Sequence, residues 1–140
     1  MKLNQKIEYA LLGMINLART DFIAKKVSLI AREERLSAVF LAKVFQDLSR
    51  AGLVMSVFGP HGGFSLIKKP EKITLKMVIA AINNSYFSPC YRQKEFVCTK
   101  KNCLLRPVLL QADTVLENFY ENVTLAQLIT KSPALTKAGV

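Results

Sequence analysis

The sequence of 140 residues contains a single histidine and no long hydrophobic run. That histidine lies in a glycine-rich stretch, and the only adjacent carboxylates are Glu33 and Glu34. No pair of nucleophile and base is available for catalysis, so we do not expect an enzyme. The most apolar early run, ALLGMINLA, is too short to cross a bilayer and lacks a secretory cleavage site. We expect a cytoplasmic protein with no membrane partner.

Acidic residues are half as numerous as basic ones. Ten Asp and Glu stand against twenty Lys and Arg, which gives a formal net charge of +10 and a pI of about 9.7. This excess predicts an anionic partner, with nucleic acid first and a membrane surface second. Both halves of the chain are basic and there is no polybasic tail, so folding must assemble any basic surface.

Cysteine is scarce, and all three cysteines lie in the segment CYRQKEFVCTKKNC. Cys90, Cys98 and Cys103 have the spacing C-x7-C-x4-C, without the close C-x2-C pair of most zinc sites. The odd number of cysteines and a reducing compartment argue against structural disulfides. The wide spacing suits the thiolate ligands of an iron–sulfur cluster.

Basic residues surround these thiols and would favour thiolates and offset the charge of a cluster. They are Arg92, Lys94, Lys100, Lys101 and Arg106. Two alternatives stay open. The three residues could form a thiol redox switch without a cluster, or they could be ordinary thiols on a loop.

The first half of the chain predicts three helices followed by a β-hairpin. Apolar spacing indicates a helix over residues 5–20, with Lys6, Glu8 and Asn16 on its polar side. We expect Ser28 to cap a short helix that ends near Glu34.

Ser37 should cap the next helix, which ends at Arg50 or Ala51, and Gly52 suits the left-handed position after it. The strands LVMSVF and FSLIKK then flank the turn GPHGG.

The second half predicts helices on either side of the cysteines. Thr74 should cap a helix to about Asn83, and Pro107 should lie in the first turn of a long helix over 104–121. A short helix is expected over 124–130. We divide the chain into a winged-helix DNA-binding domain at 1–83, a cysteine loop at 84–103, a dimerisation helix with a short terminal helix at 104–130, and a tail at 131–140.

The order of three helices and a hairpin predicts a mainly α, winged helix-turn-helix fold. In such modules the second helix of the pair enters the major groove, and its N-terminal residues contact base edges. The residues expected there are Ser37, Ala38, Val39, Ala42 and Lys43. Ser28 and Arg50 could hold phosphates. In the wing we expect contacts from Gly59, His61, Gly62 and Gly63, although GPHGG could simply be a tight turn.

The long helix predicts a second function, which is dimerisation. A single domain of this size that reads DNA commonly dimerises, because two half-sites multiply affinity. The apolar stripe of residues 105–120 could form the dimer seam, and it could also pack within one subunit.

The stretch RLSAVFLAKVFQDLSRAGLVMSVFGPHGGFSLIKKPEKITLKMVIAAI, followed by the three cysteines, resembles the IscR/NsrR/RirA family of bacterial winged-helix regulators. The resemblance implies a homodimer that binds palindromic operator DNA. It also implies that Cys90, Cys98 and Cys103 hold a 2Fe–2S or 4Fe–4S cluster that reports nitric oxide, iron supply or redox state. In some members a carboxylate on the first helix of the partner subunit is the fourth ligand. Glu8 stands at that place, although a glutamate in a first helical turn also suits the helix dipole.

Two departures from the family pattern matter. The IscR branch has a histidine shortly after the third cysteine, whereas this chain has LLRPV, and its only histidine, His61, lies in the wing. We therefore favour a 4Fe–4S cluster. The wing often has an arginine before its glycine, and here that residue is Phe58.

Three functions follow. We expect first a transcriptional regulator, with repression favoured, whose operator affinity depends on the cluster. The second is a cluster-free regulator that uses the cysteines as a thiol switch. The third is a small iron–sulfur electron carrier or cluster-delivery protein, against which the positive charge and the wing argue.

Overall fold

The computed structural model describes residues 4–82 and 100–130. Six α-helices and one two-stranded sheet lie within these residues. In chain order they are α1 Gln5–Ala18, α2 Val27–Glu34, α3 Ala38–Arg50, β1 Val54–Val57, β2 Gly63–Leu66, α4 Leu75–Ile82, α5 Leu105–Glu121 and α6 Leu125–Ile129. This order confirms the mainly helical winged helix-turn-helix fold. Cys90, Cys98 and the expected tail at 131–140 lie outside the described residues.

The helix-turn-helix pair consists of α2 and α3. Arg35 ends α2 in the left-handed region, at φ 57° and ψ 45°. Ser37 then begins α3, because its Oγ accepts a hydrogen bond from the Phe40 amide at 3.4 Å. This confirms the cap predicted at Ser37. After α3, Gly52 has a φ of 76°, as expected for a residue in the left-handed region.

The apolar face of α3 forms the centre of the hydrophobic core. Leu41, Val44, Phe45 and Leu48 are fully buried, and they recur with the helical spacing expected for one face. The apolar face of α1, including Met14 and Leu17, completes this core. Burial of one face fixes the opposite face of α3 toward solvent.

One predicted helix cap is wrong, and one polar residue of α1 is more buried than its type suggests. Ser28 does not cap α2, because the helix begins at Val27 with Lys26 at the cap position. The backbone of Lys25 pairs with Phe64, so the helix starts directly after that pairing and Ser28 lies inside its first turn. Asn16, which was expected on the polar side of α1, is not exposed to solvent. Its side chain is buried and hydrogen-bonded.

The hairpin packs on the helices through the connection between α1 and α2. Strands β1 and β2 are antiparallel, with Val54 opposite Leu66 and Val57 opposite Gly63. Lys25 and Phe64 exchange two backbone hydrogen bonds, each of 2.9 Å. The wing is therefore fixed to the helical part of the domain at its second strand.

The C-terminal helices return to this domain after the cysteine segment. Thr74 caps α4 by accepting from the Met77 amide at 3.3 Å, as predicted. Backbone hydrogen bonds of 2.9 Å join Leu75 to Val123 and Leu125 to Ile73. Thr124 begins α6, and Leu125 is fully buried in the core. The C-terminal end of α5 is thereby fixed to the winged-helix domain.

Candidate nucleic-acid interface

The outer face of α3 presents small, apolar and basic side chains. Ser37, Ala38 and Lys43 are exposed, and Ala42 is half-buried. Val39 is 73% exposed although it is a large aliphatic residue. These positions lie in the first turns of α3, the part of a recognition helix that contacts base edges. An exposed valine there suits the methyl group of thymine.

Arg50 lies at the end of the same helix, and Asp47 holds it. The Arg50 guanidinium is 2.9 Å from Oδ1 of Asp47, and Lys6 Nζ is 2.6 Å from Oδ2. The hydrogen bond from Lys6 keeps the pKa of Asp47 below its ordinary value. This carboxylate therefore orients Arg50, which is a predicted phosphate contact, and joins α1 to α3.

The wing turn depends on its glycines. The Gly62 amide donates to the Gly59 carbonyl at 3.0 Å, and Gly62 is buried. Gly63 has a φ of 143°, and a Cβ on it would lie 2.2 Å from the Lys25 carbonyl oxygen. Gly62 and Gly63 therefore have packing roles in addition to the predicted DNA contacts. Gly59 and His61 are exposed at the tip.

A polar cluster near the wing was not predicted from the sequence. Its members are Asn16, Lys25, Glu33 and Glu34. Asn16 donates to Glu33 at 2.9 Å and to Glu34 at 2.6 Å, and Lys25 Nζ donates to Asn16 Oδ1 at 2.7 Å. Lys25 is also paired with Glu33, and this hydrogen bond is the main reason that the pKa of Glu33 is lowered. The cluster joins α1, α2 and the segment that holds the wing.

Ser28 remains a candidate phosphate contact even though it is not a cap. It is exposed in the first turn of α2. Backbone amides in a first helical turn lack partners within the helix and point outward from its N-terminus, which favours a nearby phosphate.

Among the predicted cluster ligands, Cys103 and Glu8 belong to the described part of the chain. Cys103 is half-buried, two residues before α5, and is a free thiol. Glu8 is exposed in the first turn of α1. Across residues 4–82 and 100–130 there is no group of three His, Cys, Asp or Glu side chains that could bind a metal. The predicted ligand set therefore depends on Cys90 and Cys98.

The long helix α5 exposes most of its apolar side chains. Leu105, Val108, Val115 and Phe119 are each at least half exposed in the single chain. Asp113 is the one fully buried residue of α5. The part of the chain that the structure describes contains no helix of the length and apolarity that a membrane span requires.

An exposed recognition-helix face, a fixed wing and a basic composition together define a winged-helix DNA-binding module. The chain matches the Rrf2 family, described as iron-dependent transcriptional regulators, over residues 3–131. It belongs to the Rrf2 family. It is thus a DNA-binding transcriptional regulator and not an enzyme.

Individual relatives agree with this assignment. An HTH-type transcriptional regulator of Aquifex aeolicus is 32% identical over 134 residues, with 92% of each chain covered. IscR of Aliivibrio salmonicida is 30% identical, with 92% of this chain and 77% of that protein covered. The structure of B. subtilis CymR, named the global cysteine regulator, has a TM-score of 0.77 at 25% identity and covers 94% of this chain and 98% of that one. Oxidized S. aureus CymR has a TM-score of 0.73 at 25% identity and covers 92% and 96%.

Proposed function

We propose that this regulator is a homodimeric repressor whose operator affinity is controlled by an iron–sulfur cluster held by Cys90, Cys98 and Cys103. The observation that carries the proposal is the place of the three cysteines. They are confined to the segment between α4, which packs in the DNA-binding domain, and α5, whose C-terminal end is fixed to that domain. The iron dependence named for the family supports the choice of metal.

The DNA contacts proposed for each subunit follow the exposed faces. The first turns of α3, from Ser37 to Lys43, would read base edges in the major groove. Ser28 and Arg50 would hold phosphates on either side, and the wing tip with Gly59 and His61 would reach the neighbouring minor groove. Two subunits would bind the two halves of a palindromic operator.

The donor set fits a cluster by its chemistry. Three thiols lie within one basic segment, and thiolates are the usual ligands of iron–sulfur clusters. When bound, the cluster would supply a centre that iron supply, nitric oxide or redox state can alter. The basic residues within three positions of Cys103 would offset the negative charge of the cluster. They are Lys100, Lys101 and Arg106. We favour 4Fe–4S over 2Fe–2S because no histidine follows Cys103 in the stretch LLRPV.

Three thiolates leave one ligand position for another residue. Glu8 is our candidate, given by the partner subunit. Its exposure in the first turn of α1 leaves the carboxylate accessible to a second chain. Ligation across the dimer would join the cysteine segment of one subunit to α1 of the other.

The two ends of α5 supply a route from the cysteines to the DNA. Cys103 lies two residues before the helix, and backbone hydrogen bonds at Val123 and Leu125 fix its far end to the winged-helix domain. Ligation would set the position of the first turn of α5. Because both domains of the dimer would be fixed to their α5 helices, a change there would alter the separation of the two recognition helices.

The apolar surface of α5 supports a homodimer. Leu105, Val108, Val115 and Phe119 expose aliphatic and aromatic groups along one helix, which monomeric proteins seldom do. A second copy of α5 would bury them.

The test of the cluster is spectroscopic. Protein purified without oxygen from iron-replete cells should show a visible absorption band with stoichiometric iron and sulfide. Cys98→Ala should lose all three, whereas Thr99→Ala, its neighbour, should retain them. Colourless wild-type protein without iron would contradict the cluster.

A second candidate is a regulator whose three cysteines form a thiol switch. The similarity to CymR, which has been solved in an oxidized form, favours this alternative. In that case iron-free protein would bind operator DNA, and mild oxidation of the thiols would change its affinity. Serine at all three cysteine positions should abolish that response.

A further inference from the structure

The most exposed large apolar side chain in residues 4–82 and 100–130 is Phe58. It is 95% exposed, at the point where β1 ends and the wing turn begins. Its neighbour Val57 makes the last pair of the hairpin, with Gly63. Met55 and Val57 of β1 and Ile67 after β2 are exposed as well. Several exposed apolar side chains on one hairpin are typical of a surface that binds a partner.

The turn that presents Phe58 is tightly closed. The hydrogen bond from Gly62 to Gly59 spans it, and a Cβ at Gly62 would lie 2.2 Å from the Val57 carbonyl oxygen. The Lys25–Phe64 pairing fixes β2 to the helices. The ring therefore extends from a fixed platform and loses little backbone freedom when it binds.

The charges around the wing select an anionic partner. Between residues 51 and 70, which contain the hairpin, there is no Asp or Glu, and the basic residues Lys68 and Lys69 follow β2. An apolar ring on a basic hairpin matches the way in which minor-groove proteins insert an apolar wedge between base pairs. In a winged-helix module the hairpin is also the part that reaches beyond the recognition helix.

We propose that Phe58 inserts from the minor groove between neighbouring base pairs and locally unstacks and kinks the operator. It would thereby favour operators with an easily unstacked step, such as TA or CA/TG, beneath each wing. This inference requires the DNA binding of the family and is independent of the proposed cluster.

The test uses the full-length protein and an operator duplex that the wild type selects from a random-sequence library. 2-Aminopurine is placed at each step beneath the wing, where unstacking raises its fluorescence. Wild type should raise the signal at one step per half-site. Phe58→Ala should remove the rise and weaken binding by about 5–150-fold, the scale of losing an aromatic stacking contact.

Two variants make the result specific. Phe58→Leu retains an apolar wedge and should keep most of the fluorescence rise. Met55→Ala removes an exposed apolar side chain from the strand of the same wing and should leave the rise unchanged. Because Phe58 is exposed, its replacement should not lower the melting temperature, so loss of the signal cannot come from unfolding.

Three results would overturn the wedge. The first is wild-type affinity and fluorescence in Phe58→Ala. The second is weaker binding without any unstacking signal in the wild type, which would mean that the ring lies along the groove. The third is a Phe58→Ala protein that binds and unstacks DNA normally but fails to repress, which would assign the ring to a protein partner. Cys98→Ala, tested in parallel, separates these results from failure of the cluster proposal.

Discussion

Lys6 in the first turn of α1 is ion-paired with Asp47 in the recognition helix, with 2.6 Å between Nζ and Oδ2. The other oxygen of the same carboxylate holds Arg50. The first turn of α1 also contains Glu8, the proposed partner-supplied ligand. One carboxylate thus connects the region proposed to contact the cysteine segment of the second subunit with the helix proposed to contact DNA.

The Lys6–Asp47 pair should contribute measurable but modest stability. In a double-mutant cycle with Lys6→Met and Asp47→Asn, we expect a coupling free energy of about 0.5–1 kcal/mol, because both groups are partly solvated. Urea unfolding measures it. Lys43→Met, on the outer face of the same helix, should show no coupling to Asp47→Asn. Equal coupling for both lysines would contradict a specific pair.

The same pair predicts a dependence of stability on pH. The pKa of Asp47 is lowered from 3.8, so the folded state binds a proton less readily than the unfolded state. The contribution is therefore complete above about pH 4 and is lost as the pH falls through the lower, folded-state pKa. The stability difference between wild type and Asp47→Asn should shrink over that range. A difference that grows on acidification would contradict the assignment.

Asn16 should contribute more to the free energy of unfolding than a polar surface residue does. Asn16→Ala leaves Lys25, Glu33 and Glu34 without their shared partner inside a partly buried cluster. We expect a loss of about 1–3 kcal/mol in the free energy of unfolding, the scale for unsatisfied buried groups. Asn118→Ala, exposed on α5, is the matched control and should be nearly neutral. Equal melting temperatures for both variants would show that the polar cluster around Asn16 contributes nothing to stability.

Gly63 should be the most sensitive position of the wing turn. Gly63→Ala adds left-handed strain and a collision with the Lys25 carbonyl oxygen, so the wing should detach from the helices and operator affinity should fall. Gly59→Ala also lies at positive φ, 108°, but its Cβ would meet nothing within 4 Å. It should cost only the backbone strain, about 1–3 kcal/mol. Thermal unfolding should give a lower melting temperature for Gly63→Ala than for Gly59→Ala, and operator titration should give it a lower affinity.

The homodimer proposal can be tested on the exposed face of α5. Val115 is 62% exposed in the single chain. Val115→Glu would place a charge in the proposed seam and should convert dimer to monomer in sedimentation equilibrium, with a large loss of operator affinity. Thr114→Glu adds the same charge to an exposed polar position on another face of the same helix and is the control. A Val115→Glu dimer of wild-type stability would place the interface elsewhere.

Local signals in the sequence were sufficient for most of the fold. Ser37, Thr74 and Gly52 act at helix ends as predicted, because caps and left-handed terminal residues depend on neighbours within a few positions. The GPHGG turn likewise placed the hairpin. The cap predicted at Ser28 was wrong because a contact between residues far apart in sequence, the pairing of Lys25 with Phe64, decides where α2 begins.

The features that could not be predicted depend on residues far apart in sequence. Asn16 looks like a polar surface residue until folding places Glu33, 17 positions later, against it. The packing role of Gly63 depends on Lys25 in the same way. Cys90 and Cys98 lie outside the described residues, so the ligand geometry stays a prediction based on spacing and family resemblance.

Operator affinity with and without the cluster is the most direct test of the central claim. Dimer purified without oxygen would be titrated against its selected operator, before and after removal of the cluster by a chelator, at one fixed salt concentration. We predict a change of about 5–150-fold, corresponding to a coupling free energy of about 1–3 kcal/mol, and no change for Cys98→Ala treated in the same way. Identical affinities for the cluster-loaded and cluster-free dimer would contradict control by the cluster.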